Sequence, residues 1–158
     1  MKKKIIIVVV LIILIGVISY FVYSVKKDRQ MVLDNMEKVN TYYEKFYKSS
    51  SKINEIRENY SNIITDIYYE KLNEKNEEII SILNDYKKEK EDIKILSEKL
   101  DTLCKNYYSD NNINQKCQSY TVTMESINKY YDLDVDGYNN IIDKYNENAE
   151  SKIEKFNK

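Results

Sequence analysis

Apolar positions divide the chain into one continuous run and three periodic stripes. The run is Ile5 to Val25, IIIVVVLIILIGVISYFVYSV, uncharged throughout and broken only by Ser19, Tyr20, Tyr23 and Ser24 among its non-aliphatic polar side chains. As a helix, twenty-one residues cover roughly the 30 Å of a bilayer's hydrocarbon. Lys2, Lys3 and Lys4 precede it, Lys26, Lys27 and Arg29 follow, and Tyr20, Phe21 and Tyr23 stand where rings favour the interface. The first stripe is Val32, Met36, Val39, Tyr43, Phe46, Ser50, Ile53, Tyr60, Ile64 and Ile67. Its steps of three and four, with one of seven from Ile53 to Tyr60, predict an amphipathic helix over about 26–70 that keeps phase across Ser49-Ser50-Ser51. The second stripe is Ile79, Leu83, Tyr86, Ile93, Leu96, Leu100, Leu103 and Tyr107, predicting a helix over about 75–108, with Asn73 or Asn76 as its cap and a turn near 70–76. The third stripe runs from Cys117 through Tyr120, Met124, Ile127, Tyr131, Val135, Tyr138, Ile142, Tyr145, Ala149 and Ile153 to Phe156. It predicts a helix over about 116–157. The fold expected is all-α: an N-terminal transmembrane helix, then an elongated antiparallel three-helix bundle or coiled coil.

Composition supports long helices. The 158 residues include no Pro, no Trp, no His and two Gly, Gly16 and Gly137, so turn punctuation is nearly absent. Without His, Ser-His-Asp and Cys-His catalysis and His-ligated zinc are excluded within these residues. Residues 26–158 carry 22 Lys and Arg against 26 Asp and Glu, a net charge of −4 with no basic stripe, so nucleic acid is not an expected partner. Residues 1–4 are expected to form a cytoplasmic tail, 5–25 an uncleaved anchor in the cell membrane, and 26–158 an extracytoplasmic domain. A cleaved signal peptide, with Val17-Ile18-Ser19 as its cleavage site, is the competing reading, but apolar character continues past that point to Val25.

Cys104 and Cys117 bracket the strongest loop signal, Ser109-Asp110-Asn111-Asn112-Ile113-Asn114. In an exported hairpin they are expected to form a disulfide; two buried free thiols are the alternative. Tyrosine pairs fall at 42–43, 68–69, 107–108 and 130–131, where at most one ring of each can sit squarely on a buried stripe.

The segment Asp132-Leu133-Asp134-Val135-Asp136-Gly137-Tyr138, ending at Asp143, resembles the calcium loop of the EF-hand family. That resemblance implies Asp132, Asp134, Asp136 and Asp143 as side-chain ligands and the carbonyl of Tyr138 as another. Asn139 stands where the family has an aliphatic residue, and Asp143 where it has Glu. An uninterrupted helix with exposed Asp is the alternative, since Tyr131, Val135, Tyr138 and Ile142 keep helical spacing through the motif.

Tyr138-Asn139-Asn140-Ile141-Ile142-Asp143-Lys144-Tyr145-Asn146 has the form YNxxIxxYN, which resembles a motif near the C-terminal end of the LemA family. That family similarly joins an N-terminal membrane helix to a helical domain, a layout also similar to that of single-pass helical envelope proteins of low-GC Gram-positive bacteria. The family's Arg- and Pro-containing segment has no counterpart here. The resemblance implies no enzyme activity. Tyr138 and Tyr145, seven apart, are expected to face the core, with Asn139 and Asn146 beside them. The function expected is an interaction or structural stalk at the cell envelope without catalysis or cofactor. Its partners would be the bilayer through 5–25, an envelope protein or the cell wall, and in one version a second copy of the chain. A calcium-binding module at 132–143 is the alternative.

Overall fold

The computed structural model describes residues 2–65, 67 and 71–158, with side chains from Leu11 onward. The described residues form three helices and no strand: α1 (Lys2–Thr65), α2 (Leu72–Leu103) and α3 (Asn111–Asn148). They belong to two compact units, Met1–Lys38 and Val39–Lys158.

In the first unit, the large apolar side chains between Leu11 and Val25 are all 48–76% exposed, on every side of the helix. Burial within the chain therefore does not explain their apolar character. Among the described residues no helix is long and apolar enough to cross a membrane. The side chains of residues 5–10, which open the expected 5–25 anchor, lie outside the described set.

The second unit is built on heptad spacing. Val39, Phe46, Ile53 and Tyr60 of α1 follow one another at intervals of seven, and each is buried. An α-helix turns by nearly two turns in seven residues, so these four side chains line one seam. α2 buries Leu72, Ile79, Leu83, Tyr86, Ile93 and Leu100, and α3 buries Tyr120, Ile127, Tyr131, Val135, Tyr138 and Ile142. Cross-helix pairs set the register. Lys52 pairs with Glu89 and Lys99 lies over the Tyr42 ring, so α1 and α2 run antiparallel. Tyr120 bonds Asp101, Tyr131 meets Tyr86 edge to face at 5.0 Å, and Tyr138 bonds Asn76, so α2 and α3 are antiparallel too. α1 and α3 are parallel, joined by Lys116 to Asn40, Ser119 to Tyr43, Phe46 to Tyr120 and Arg57 to Asp134.

Helix limits differ from expectation at several ends. α1 passes through Ser49-Ser50-Ser51 unbroken, as the phase of the stripe implies. Asp66 and Tyr68–Glu70, the first part of the expected turn and the 68–69 tyrosine pair, lie outside the described residues. α2 begins at Leu72 after Lys71, not at an Asn cap; Asn76 instead accepts the Tyr138 hydroxyl proton. α2 stops at Leu103, and Tyr108 leaves the helix to bury its ring and donate to the Leu103 carbonyl at 2.7 Å. α3 starts five residues early, because Asp110 accepts from the amides of Asn112 and Ile113 at 2.8 and 3.3 Å and so supplies the N-cap. It ends at Asn148, not near 157: Ala149 is extended, with φ −87° and ψ 139°. Residues 149–158 are non-helical and turn back along α3.

Candidate functional site: an asparagine clamp on α3

The extended segment is held by two asparagines. Asn146 Nδ2 donates to the Ile153 carbonyl at 2.8 Å, and the Ile153 amide donates to Asn146 Oδ1 at 2.9 Å. Seven residues earlier, Asn139 repeats the pattern on Phe156, with distances of 3.0 and 2.8 Å. A carboxamide offers one acceptor and two donors, so it can satisfy both main-chain groups of one extended residue at once. The spacings agree. Seven helical residues rise about 10.5 Å, and three residues of an extended, polyproline-like path advance about 9–10 Å. The segment therefore runs antiparallel to α3 in register with its heptads.

Side chains complete the dock. Phe156 is buried and Ile153 half-buried. Lys155 pairs with Asp143 at 2.7 Å, and Lys158 pairs with Asp136 at 2.9 Å and approaches Asp132 at 3.8 Å. From α2, Lys87 donates to the Asn157 carbonyl at 3.3 Å. The docking face of α3 is thus Asp132, Asp136, Asn139, Asp143 and Asn146, a polar stripe at steps of four and three beside the buried one. Past Lys158 the α2–α3 groove continues as an open cleft of about 630 Å³, lined by Lys87, Lys90, Lys94, Asp101 and Tyr131 among others.

This geometry assigns the acidic motif a different shape from the one the EF-hand resemblance implies. Residues 132–143 lie inside α3 as continuous helix, and Gly137 has no positive φ. The carboxylates point to different partners: Asp132 and Asp136 toward Lys158, Asp143 toward Lys155, and Asp134 toward Arg57 on α1 at 2.8 Å. The Tyr138 carbonyl lies in a helix interior. Among the described residues no group of three or more His, Cys, Asp or Glu converges as a metal-holding set. No family model, curated protein or solved structure matches this chain.

Arg57 is itself fixed from two sides, lying 4.1 Å over the Tyr130 ring while it holds Asp134. Tyr60 donates to the Asp134 carbonyl at 2.7 Å. Burial is the main cause that raises the phenol pKa values of Tyr60, Tyr86, Tyr131 and Tyr138, the last to about 12. Lys90 goes the other way: burial disfavours its charge, and its ammonium lies 4.1 Å from the Tyr131 ring centre. In two tyrosine pairs one ring is buried: Tyr131 as its stripe implies, with Tyr130 exposed, and Tyr108 in place of the expected Tyr107, which is exposed because α2 ends at Leu103; Tyr42 and Tyr43 are both half-buried.

Cys104 and Cys117 stand at disulfide distance, with Cα atoms 5.4 Å apart, joining the C-cap of α2 to the second turn of α3. A third carboxamide clamp lies in the same hairpin. Asn114 accepts from the Tyr108 amide at 3.1 Å and donates to its carbonyl at 2.6 Å. The signal that marks the main clamp in the sequence is the repeat of Tyr-Asn at 138–139 and 145–146. The repeat fixes which face the asparagines share; their partner becomes visible only once the segment folds back.

Proposed function

We propose that this chain is a single-pass membrane protein whose helical domain works outside the cytoplasm as an interaction or structural module of the cell envelope, without catalysis. The observation that carries the reading is the apolar surface from Leu11 to Val25. It is exposed all round the helix and is continuous in sequence with the equally apolar residues 5–10. Such a surface is stable only in apolar surroundings, and flanking lysines with interfacial rings suit a bilayer. The cysteine pair at disulfide distance supports an oxidising location for the domain. The clamp supports binding as the domain's activity, since it is built to hold polypeptide backbone. The test is alkaline carbonate extraction of membranes from cells making the full chain and a version lacking residues 5–25. The full chain should stay in the pellet and the shortened one should leave it. Extraction of both would refute the anchor.

A further inference from the structure

We infer that the α2–α3 groove is an exchangeable peptide site: it binds an extended segment of a partner protein in place of the chain's own residues 149–158. The inference rests on the interaction reading above but not on the membrane anchor. Three observations carry it. First, the clamp recognises main chain. Asn139 and Asn146 engage the amide and carbonyl of Phe156 and Ile153 and so are indifferent to most side chains in the segment. Main-chain pairing of this kind supplies affinity in peptide recognition generally, while pockets for selected side chains supply specificity. Second, the resident segment is held by few side chains. Phe156 is its one buried residue, and the ion pairs of Lys155 and Lys158 are about half exposed and screened by solvent. Segments with so little burial open locally far more readily than the core they rest on. Third, an open cleft between α2 and α3 adjoins the docked segment at Lys158, so the groove offers further surface to a peptide seated there.

The resident segment also defines the chemistry of the ligand. It is an extended peptide with an aliphatic residue, an aromatic residue three positions later, and lysines just before and two positions after the aromatic. The apolar pair occupies the places of Ile153 and Phe156. The lysines meet Asp143 and the Asp132–Asp136 pair. The chain's own segment is then a competitor that keeps the groove filled until such a partner is present.

The test uses the full chain in detergent micelles and a fluorescein-labelled synthetic peptide with the sequence of residues 149–158, read by fluorescence anisotropy. Phe156→Ala loosens the resident segment and leaves the groove intact; Ile153→Ala serves the same purpose if the first variant loses helicity. The loosened protein should bind the peptide saturably and at least tenfold more tightly than wild type. Adding Asn139→Ala and Asn146→Ala should weaken that binding at least tenfold, with circular dichroism unchanged. A labelled peptide in which the phenylalanine is alanine should not bind. The inference is overturned by a folded, loosened protein that takes up no peptide, by uptake equal to that of wild type, or by uptake that ignores the two asparagines. Concentration-dependent dimers without peptide uptake would also overturn it, assigning the groove to the segment of a second copy. Carbonate extraction is unaffected by any of these results, so failure of the groove and failure of the anchor are distinguishable.

Discussion

Replacing Gly137 with alanine should stabilise the protein. Gly137 lies inside α3, eleven residues before its end, with no positive φ that would require glycine. A Cβ built on it meets no atom within 4 Å, so the methyl group enters open space. The substitution then changes only the cost of fixing the backbone as helix. Glycine at an interior helical position costs about 1 kcal/mol relative to alanine, most of it chain entropy of the unfolded state. For a unit of the size of Val39–Lys158, that corresponds to a rise in Tm of about 4 °C. Thermal unfolding of the full chain in mild detergent, followed by circular dichroism at 222 nm, measures it. The same pair of proteins should differ equally with and without millimolar calcium. An EF-hand loop predicts the opposite sign, because glycine there makes a sharp turn that alanine would strain. A Tm that falls on substitution, or a stabilisation that calcium reverses, would refute the continuous helix.

Three further outcomes follow from the packing. Replacing both Cys104 and Cys117 with serine reopens a link across a sequence separation of 13, and loop entropy predicts a loss of about 3 kcal/mol; urea midpoints that match wild type would contradict it. Tyr86→Phe removes a buried hydroxyl that has no hydrogen-bond partner among the described residues, so it should be neutral or stabilising by about 1 kcal/mol, and a loss above that size in chemical denaturation would show that the hydroxyl has a partner. Alkali should unfold the domain. Burial raises the pKa values of Tyr60, Tyr86 and Tyr138, so the folded state keeps protons that the unfolded chain begins to release near pH 10. Stability is therefore full below about pH 10 and is lost as pH rises through the folded value of Tyr138, about 12. Absorbance at 295 nm should show a late group of tyrosines titrating together with loss of helicity; uniform titration near pH 10 in the folded protein would contradict this.

The core was legible in the sequence because burial and periodicity are the same signal here. Val39, Phe46, Ile53 and Tyr60 recur every seven residues, and each is buried. The phase of that stripe also carried α1 correctly across Ser49-Ser50-Ser51. The C-terminal segment was not legible, for a physical reason. Ile153 and Phe156 are three residues apart, an interval that fits both a helical face and an extended path with a three-residue repeat. Tyr145, Ala149, Ile153 and Phe156 therefore continue the helical stripe on paper while the chain has left the helix at Asn148. The Asp motif was open in the sequence to two readings, a curled loop and a continuous helix. Its residue types match a calcium loop, but loop formation depends on where the chain is free to curl. Val135, Tyr138 and Ile142 bury one face of this stretch against the other helices and hold it helical. Asn139 and Asn146 were visible as a repeated pair, yet their role depends on a partner that folds back from the far side of a turn at Glu150 and Ser151. Glu89, which is buried, stands within a charged run in the sequence and is explained by Lys52 reaching it from α1.

The most direct test of the central claim is thiol and protease accessibility in intact cells that make the full chain. An impermeant maleimide should leave Cys104 and Cys117 unlabelled until a reductant is added outside, and external protease should remove the helical domain while the N-terminal anchor stays in the membrane. Cysteines that label only after lysis without reduction, together with a domain that external protease never reaches, would place Val39–Lys158 on the cytoplasmic side and contradict the account.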